Sequence, residues 1–189
     1  MKISADALER AKKVELIIFD VDGVLTDGKI YMGANGEPFK AFNCHDGFAM
    51  TATRKCGLKM AIITGRESPC TANRAREIGI HSVKQGQMNK RGAYNELKAE
   101  FNLTDEQIAY VADDVIDLPV FVQVGFRAAV GDAVEEVKER AHFIADNFGG
   151  YGAVREVLEF ILKAQGKWSK IITQYTTVED NGGDYNLMQ

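Results

Sequence analysis

VELIIFDVDGVLTDGKI, residues 14–30, carries an apolar run straight into three carboxylates, Asp20, Asp22 and Asp27. ELIIFDV (15–21) has the length and composition of a strand buried on both faces, as in a parallel sheet covered by helices. Carboxylates gathered at the end of such a strand cost free energy unless something positive joins them. The stretch therefore predicts a fold whose first strand delivers acids to a cation or to a cationic side chain.

Working outward, short apolar runs recur at 58–64, 81–84, 108–112, 126–130 and 142–145. Helical patterns lie between them, near 47–56, 68–78, 88–101, 115–123, 133–140 and 151–164. Strict alternation with short connections predicts an α/β fold, a Rossmann-like, doubly wound parallel sheet. Residues 1–15 read as a short amphipathic helix, and Thr104 with Gln107 marks a further helix start. One segment, 29–43, breaks the alternation: two extended stretches around Asn35-Gly36 predict a β-hairpin flap in place of a large cap domain. Its apolar Ile30, Met32, Phe39 and Phe42 need cover, which points to a partner subunit. Residues 1–166 are expected to form one domain, and 167–189 a loosely ordered tail.

Composition narrows the function classes. The chain has 189 residues, is 46% hydrophobic, and carries a net charge of -4 with no Lys/Arg-rich run, so nucleic acid is not an expected partner. No apolar run approaches the length of a membrane span. Cys44, Cys56 and Cys70 are sparse and odd in number, which suits free thiols in a reducing compartment, and a cytoplasmic location is expected.

In an open parallel sheet, ligands bind beyond the carboxyl ends of the strands. Those ends supply Asp20 and Asp22, then Thr64-Gly65-Arg66, then Lys90 at a helix start, then Asp113, Asp114 and Asp117. DVDGVLT (20–26), ITGR (63–66), Lys90 and DDVID (113–117), in that order, resemble the four motifs of the haloacid dehalogenase-like (HAD) phosphohydrolase superfamily. The likeness spans residues 14–164. It implies a HAD fold and hydrolysis of a phosphate monoester, a reaction so slow uncatalysed that charge stabilisation and positioning must do most of the acceleration.

The resemblance also implies roles. Asp20 would be the nucleophile that forms an aspartyl-phosphate, and Asp22 the acid and then the base, in surroundings that raise its pKa. Magnesium would be held by Asp20, the backbone carbonyl of Asp22 and Asp113, with Asp114 and Asp117 supporting from behind. Thr64 and Lys90 would meet the phosphoryl oxygens and their charge, while Gly23, Gly65, Arg66 and His45 would face substrate. A signalling receiver domain shares the metal and the phosphorylated aspartate, but there the acidic pair follows the first strand and the phosphorylated aspartate the third, an order this chain does not have.

AFNCHDGFAM (41–50), QGQMNK (85–90) and GGYGAVREVLEFILKAQGK (149–167) are similar to the small, cap-less members that act on 3-deoxy-D-manno-octulosonate 8-phosphate, a precursor of lipopolysaccharide sugar. Such members are homotetramers, whose neighbouring subunits cover each active site. Two alternatives stand beside this reading: a phosphatase for a nonulosonate 9-phosphate, and a non-catalytic oligomerisation module. The chain departs from the family pattern at Ala112, where glycine is usual, and at His45, where arginine is usual.

Overall fold

The computed structural model describes residues 4–36 and 39–177. In chain order the elements are α1 (Ala5–Lys12), β1 (Leu16–Phe19), α2 (Cys44–Lys55), β2 (Lys59–Ile63), α3 (Pro69–Ile78), β3 (Ser82–Lys84) and α4 (Lys90–Phe101). There follow β4 (Ile108–Ala112), α5 (Leu118–Phe121), β5 (Phe126–Ala129), α6 (Glu135–Lys138), β6 (Phe143–Ile144), α7 (Ala153–Ala164) and α8 (Trp168–Thr176). The sheet runs β3-β2-β1-β4-β5-β6 with every pair parallel. All six strands stand where the apolar runs placed them.

β1 is central, and the order reverses at its side: β2 and β3 lie one way, β4 to β6 the other. That switch is where a crevice opens beyond the strand ends. Every residue of β1 and β4 is buried although successive side chains face opposite ways, so both faces of the sheet are covered. α7 supplies much of that cover through Val154, Val157, Leu158, Ile161 and Leu162, an apolar stripe at helical spacing. α2 is tied to α7 by Asp46, whose Oδ1 accepts the Arg155 backbone N–H at 2.7 Å and so caps the start of α7. Burial pushes the Asp46 carboxyl above its ordinary pKa, against the pull of those helix-end amides.

Three expectations change. The predicted helix after Thr104 is a single 3-10 turn, Asp105–Gln107, in which Gln107 Oε1 accepts from Thr104 N at 2.9 Å. It cannot lengthen because Ile108 already begins β4. The predicted hairpin keeps its turn, closed by one antiparallel bridge between Gly33 and Gly36, but no flanking ladder forms among the described residues. Tyr31 stacks on Phe39 with ring centroids 4.8 Å apart, while Ile30, Met32 and Phe39 stay exposed. Two strands with an uncovered apolar face are only marginally stable, which accounts for the open arms. Finally, α8 occupies residues assigned to a loosely ordered tail. It buries Trp168 and Ile171, and Trp168 lies beneath the Arg155 guanidinium at 4.9 Å. The rest of that expected tail, 178–189, lies outside the described residues.

Candidate active site

The acidic loop after β1 is shaped before it meets any other motif. Asp20 N still donates to Val111 O at 3.3 Å, which holds Asp20 in register with the end of β4. The chain then folds over one acceptor: Val24, Leu25 and Thr26 all donate their N–H to Val21 O, at 3.3, 2.9 and 3.1 Å. Thr26 Oγ1 accepts from Gly23 N and Gly28 N, so its hydroxyl locks the loop from inside. Gly23 sits at φ +93°, and a Cβ there would fall 2.0 Å from Asp113 Oδ2. Only glycine brings the first-strand loop this close to the β4 acid. The GGYG loop braces the far side: a Cβ on Gly149 would meet Gly23 O at 1.7 Å, and Gly150 N donates to Val24 O at 3.0 Å.

Around that loop the sequence-predicted residues divide into groups. Asp20, Asp113, Asp117 and Lys90 converge. Lys90 Nζ, wholly buried at the first residue of α4, lies 2.9 Å from Asp20 Oδ1 and 2.6 Å from Asp117 Oδ1. Asp117 Oδ1 also accepts from the Tyr110 hydroxyl at 2.8 Å, and its Oδ2 accepts from Asp113 N at 3.4 Å. Asp114 is exposed and caps the turn that follows, accepting from Val115 N at 2.6 Å.

Asp22 stands apart from that group. Its carboxylate pairs with Lys40 on one oxygen and faces Arg66 Nε at 3.8 Å on the other. The neighbours of the Asp22 carboxylate in this structure are thus two cations. Thr64 is buried at the end of β2, where its backbone pairs with Lys84 and Gln87, and Gly65 packs beside Met88 and Ile116. His45 is exposed in the first turn of α2, and no described hydrogen bond or ion pair joins it to the carboxylates. Ala112 fits without strain, buried in β4 opposite Ala129.

Sequence reasoning missed Lys40, Tyr110 and Thr26. Lys40 lies in a segment with no regular element, and its meeting with Asp22 exists only in three dimensions. Tyr110 reads as ordinary strand filler, though it is the one hydroxyl in an otherwise aliphatic IAYVA.

The electrostatics are unbalanced. Burial, then the charge of Asp117, push Asp20 up to about 6 against the pull of Lys90. Burial together with Asp20, Asp117 and Asp114 pushes Asp113 up to about 8. Burial opposes the charge on Lys90, but Asp20 and Asp117 outweigh it and raise the Lys90 pKa. One ammonium thus faces a crowd of carboxylates. A divalent cation fits the donor set: oxygens of Asp20, Asp113 and Asp117 lie within 4.8 Å of one another, and Asp113 Oδ1 is buried with no hydrogen-bond partner among the described residues.

Comparison with known proteins agrees with this geometry. Residues 76–158 match the model of the haloacid dehalogenase-like hydrolases. The 3-deoxy-D-manno-octulosonate 8-phosphate phosphatase of Escherichia coli is 45% identical over 165 residues, 87% of this chain and 88% of that protein. The chain belongs to the haloacid dehalogenase-like hydrolases. Within that family, the crystal structure of the 3-deoxy-D-manno-octulosonate 8-phosphate phosphatase from Yersinia pestis superposes with a TM-score of 0.85 at 45% identity, covering 87% of this chain and 89% of that one. The corresponding phosphatase from Moraxella catarrhalis, solved with a magnesium ion, a phosphate ion and a KDO molecule, gives 0.88 at 37% identity, covering 90% and 98%. The segments DVDGVLT, ITGR and DDVID lie at the ends of β1, β2 and β4, and Lys90 at the start of α4.

Proposed function

We propose that the chain is a magnesium-dependent phosphomonoesterase that hydrolyses 3-deoxy-D-manno-octulosonate 8-phosphate to the free sugar acid and phosphate, in the cytoplasm, as a step toward lipopolysaccharide. The observation that carries the reading is the meeting of Asp20, Asp113 and Lys90 under Gly23 at the switch point of the sheet. Similarity to phosphatases of that ester supports the choice of substrate.

Asp20 attacks phosphorus, the bond from phosphorus to the sugar oxygen breaks, and an aspartyl-phosphate remains. Asp22 gives its proton to the departing sugar oxygen, then takes one from the water that cleaves the acyl phosphate. For that, Asp22 must exchange its present company, and an anionic ester drawn between Lys40 and Arg66 would relieve it of both cations. Lys90 and the Thr64 hydroxyl oppose the charge shared by nucleophile and phosphoryl group. Asp20, Asp113 and the Asp22 carbonyl would hold a magnesium ion, with Asp114 and Asp117 supporting them, and the ion would supply the charge that lets two anions approach.

Gly23 lets the first loop close on Asp113, Gly65 packs beside Met88, and Arg66 and His45 are the ester's outer contacts. Residues 1–166 act as one phosphatase unit. The exposed Ile30, Met32 and Phe39 suit an interface between copies, and a homotetramer closing each crevice with a neighbour would exclude water without a cap domain. Among the described residues no helix is long and apolar enough to cross a membrane.

A steady-state comparison of eight- and nine-carbon 2-keto sugar phosphates tests the reading. The eight-carbon ester is expected to have the higher kcat/KM. Preference for the nine-carbon ester would move the substrate to a nonulosonate 9-phosphate, and no magnesium-dependent phosphate release from any sugar phosphate would leave a non-catalytic oligomerisation module.

A further inference from the structure

We propose that Tyr110 is a positioning residue for this reaction: its phenol, through Asp117, sets where the Lys90 ammonium stands against Asp20. The inference rests on the phosphatase reading above for its kinetic consequence, though not for its geometry. Tyr110, Asp117 and the Lys90 side chain are all fully enclosed, so no water completes their hydrogen bonding from the surface. A hydroxyl on a central strand is costly to bury and useful only if it has a partner. Here the partner is Asp117 Oδ1, the same oxygen that holds Lys90 Nζ.

Two donors on one oxygen have two effects. They fix the direction of the carboxylate, whose other oxygen is restrained, among the described residues, by the long bond from Asp113 N at 3.4 Å. They also divide its negative charge, so that Asp117 does not capture the ammonium outright. Lys90 lies between two carboxylates, 2.6 Å from Asp117 and 2.9 Å from Asp20, and the phenol weakens the first attraction in favour of the second. Without it, the ammonium moves toward Asp117 and away from the oxygen that attacks phosphorus. The Tyr110 hydroxyl donates to Asp117 and acts on Asp20 through two other side chains.

The test is Tyr110→Phe in the full chain, which removes one oxygen and keeps the ring. We expect kcat to fall about tenfold with KM within about twofold, the loss of one hydrogen bond to a charged group partly expressed at the transition state. A merely structural hydrogen bond would lower the melting temperature and leave kcat of the folded protein unchanged, and that result overturns the inference. Asp117→Asn removes the charge that competes with Asp20 for the ammonium, so the phenol is left with nothing to divide. Adding Tyr110→Phe to it should cost less than about twofold more, whereas losses that multiply would mean that Tyr110 does not act through Asp117. Crystal structures give a readout free of turnover: in Tyr110→Phe, or in Tyr110→Leu if the former does not fold, Lys90 Nζ should leave hydrogen-bonding range of Asp20 Oδ1, beyond about 3.5 Å. An unmoved ammonium sinks the inference even if the wild type is an active phosphatase. A moved one sustains it even if the wild type hydrolyses no sugar phosphate, in which case the phosphatase reading alone fails.

Discussion

Two clusters of crowded charge lie at separate places on this sheet, and they resolve their crowding in different ways. At the β5–β6 edge, Arg127 N donates to His142 Nδ1 at 3.0 Å, and the Arg127 guanidinium lies 2.7 Å from His142 Nε2. Burial, then Arg127 and Arg10, push His142 down to about 4. The imidazole simply gives up its proton, and Arg10 is bonded to Asp6 and to Gly125 O. No charge is left to compensate on the ring, although Arg127 Nε is buried with no hydrogen-bond partner among the described residues. Beyond the ends of β1 and β4 the crowding is anionic, and Lys90 alone cannot balance it. That cluster can relax only by taking up protons or a cation. A buried set of like charges that cannot neutralise itself invites a ligand; one that can is only packing.

Removing the nucleophile should break this comparison most sharply. Asp20→Asn is expected to lower turnover by about four orders of magnitude or more, because no acyl phosphate can form on the amide. The same variant should lose no stability without metal. The folded-state pKa of Asp20, about 6, lies above its ordinary 3.8, so at neutral pH the ionised carboxylate opposes folding and its removal relieves the cluster. Phosphate-release assays beside thermal melts in chelator check both halves, and a variant that melts well below the wild type would mean that Asp20 serves the fold.

Closing the space between the two loops is the next largest perturbation. In Gly23→Ala the added methyl would stand 2.0 Å from Asp113 Oδ2 on a backbone at φ +93°. We expect a stability loss of about 1–3 kcal/mol and about a hundredfold weaker magnesium activation, measured by urea unfolding and by metal titration of turnover. Normal activation would show that the close approach of the loops is incidental.

These effects fall on residues that the sequence already exposed, and the reason is physical. Apolar runs fixed the strands, and a parallel sheet must present its strand ends on one edge, so Asp20, Thr64 and Asp113 could be read together. What escaped depends on contacts between distant segments. Lys40 reaches Asp22 from an arm without regular structure, Tyr110 has its partner in the turn after its own strand, and Asp46 caps a helix far along the chain. α8 falls in a stretch that reads as a loosely ordered tail, for want of a sustained helical period and for its Gly-Gly pair, yet Trp168, Ile171, Ile172 and Tyr175 follow helical spacing. The hairpin's turn chemistry is local and forms, while its strands need cover that one copy of the chain does not give.

The two clusters should also differ in their response to pH, with opposite signs. Asp20 and Asp113 have folded-state pKa values raised from 3.8 to about 6 and about 8, so they contribute stability at low pH that is lost as pH rises through those values. Magnesium competes with the same protons. Its apparent affinity should climb by up to about tenfold per pH unit from pH 6 to 8, and its effect on the melting temperature should grow over that window. Calorimetric titration in buffers of different ionisation enthalpy would count the protons released. A metal affinity flat with pH would place the cation away from these carboxylates.

The smallest effect belongs to the other cluster. The His142 pKa falls from 6.5 to about 4 on folding, so the neutral ring contributes stability above pH 6.5 that is lost as pH falls through about 4. His142→Gln removes the titration and should flatten the stability curve between those pH values, while leaving phosphate release and magnesium activation at their wild-type levels. Urea unfolding at pH 7 and pH 4.5 measures the slope. An unchanged slope would mean that the Arg127 guanidinium swings away to let the ring charge in the folded state. A change in magnesium activation would be the more serious result, because it would couple the β5–β6 edge to the strand-end carboxylates and remove the ground for treating one crowd of charges as packing and the other as a site.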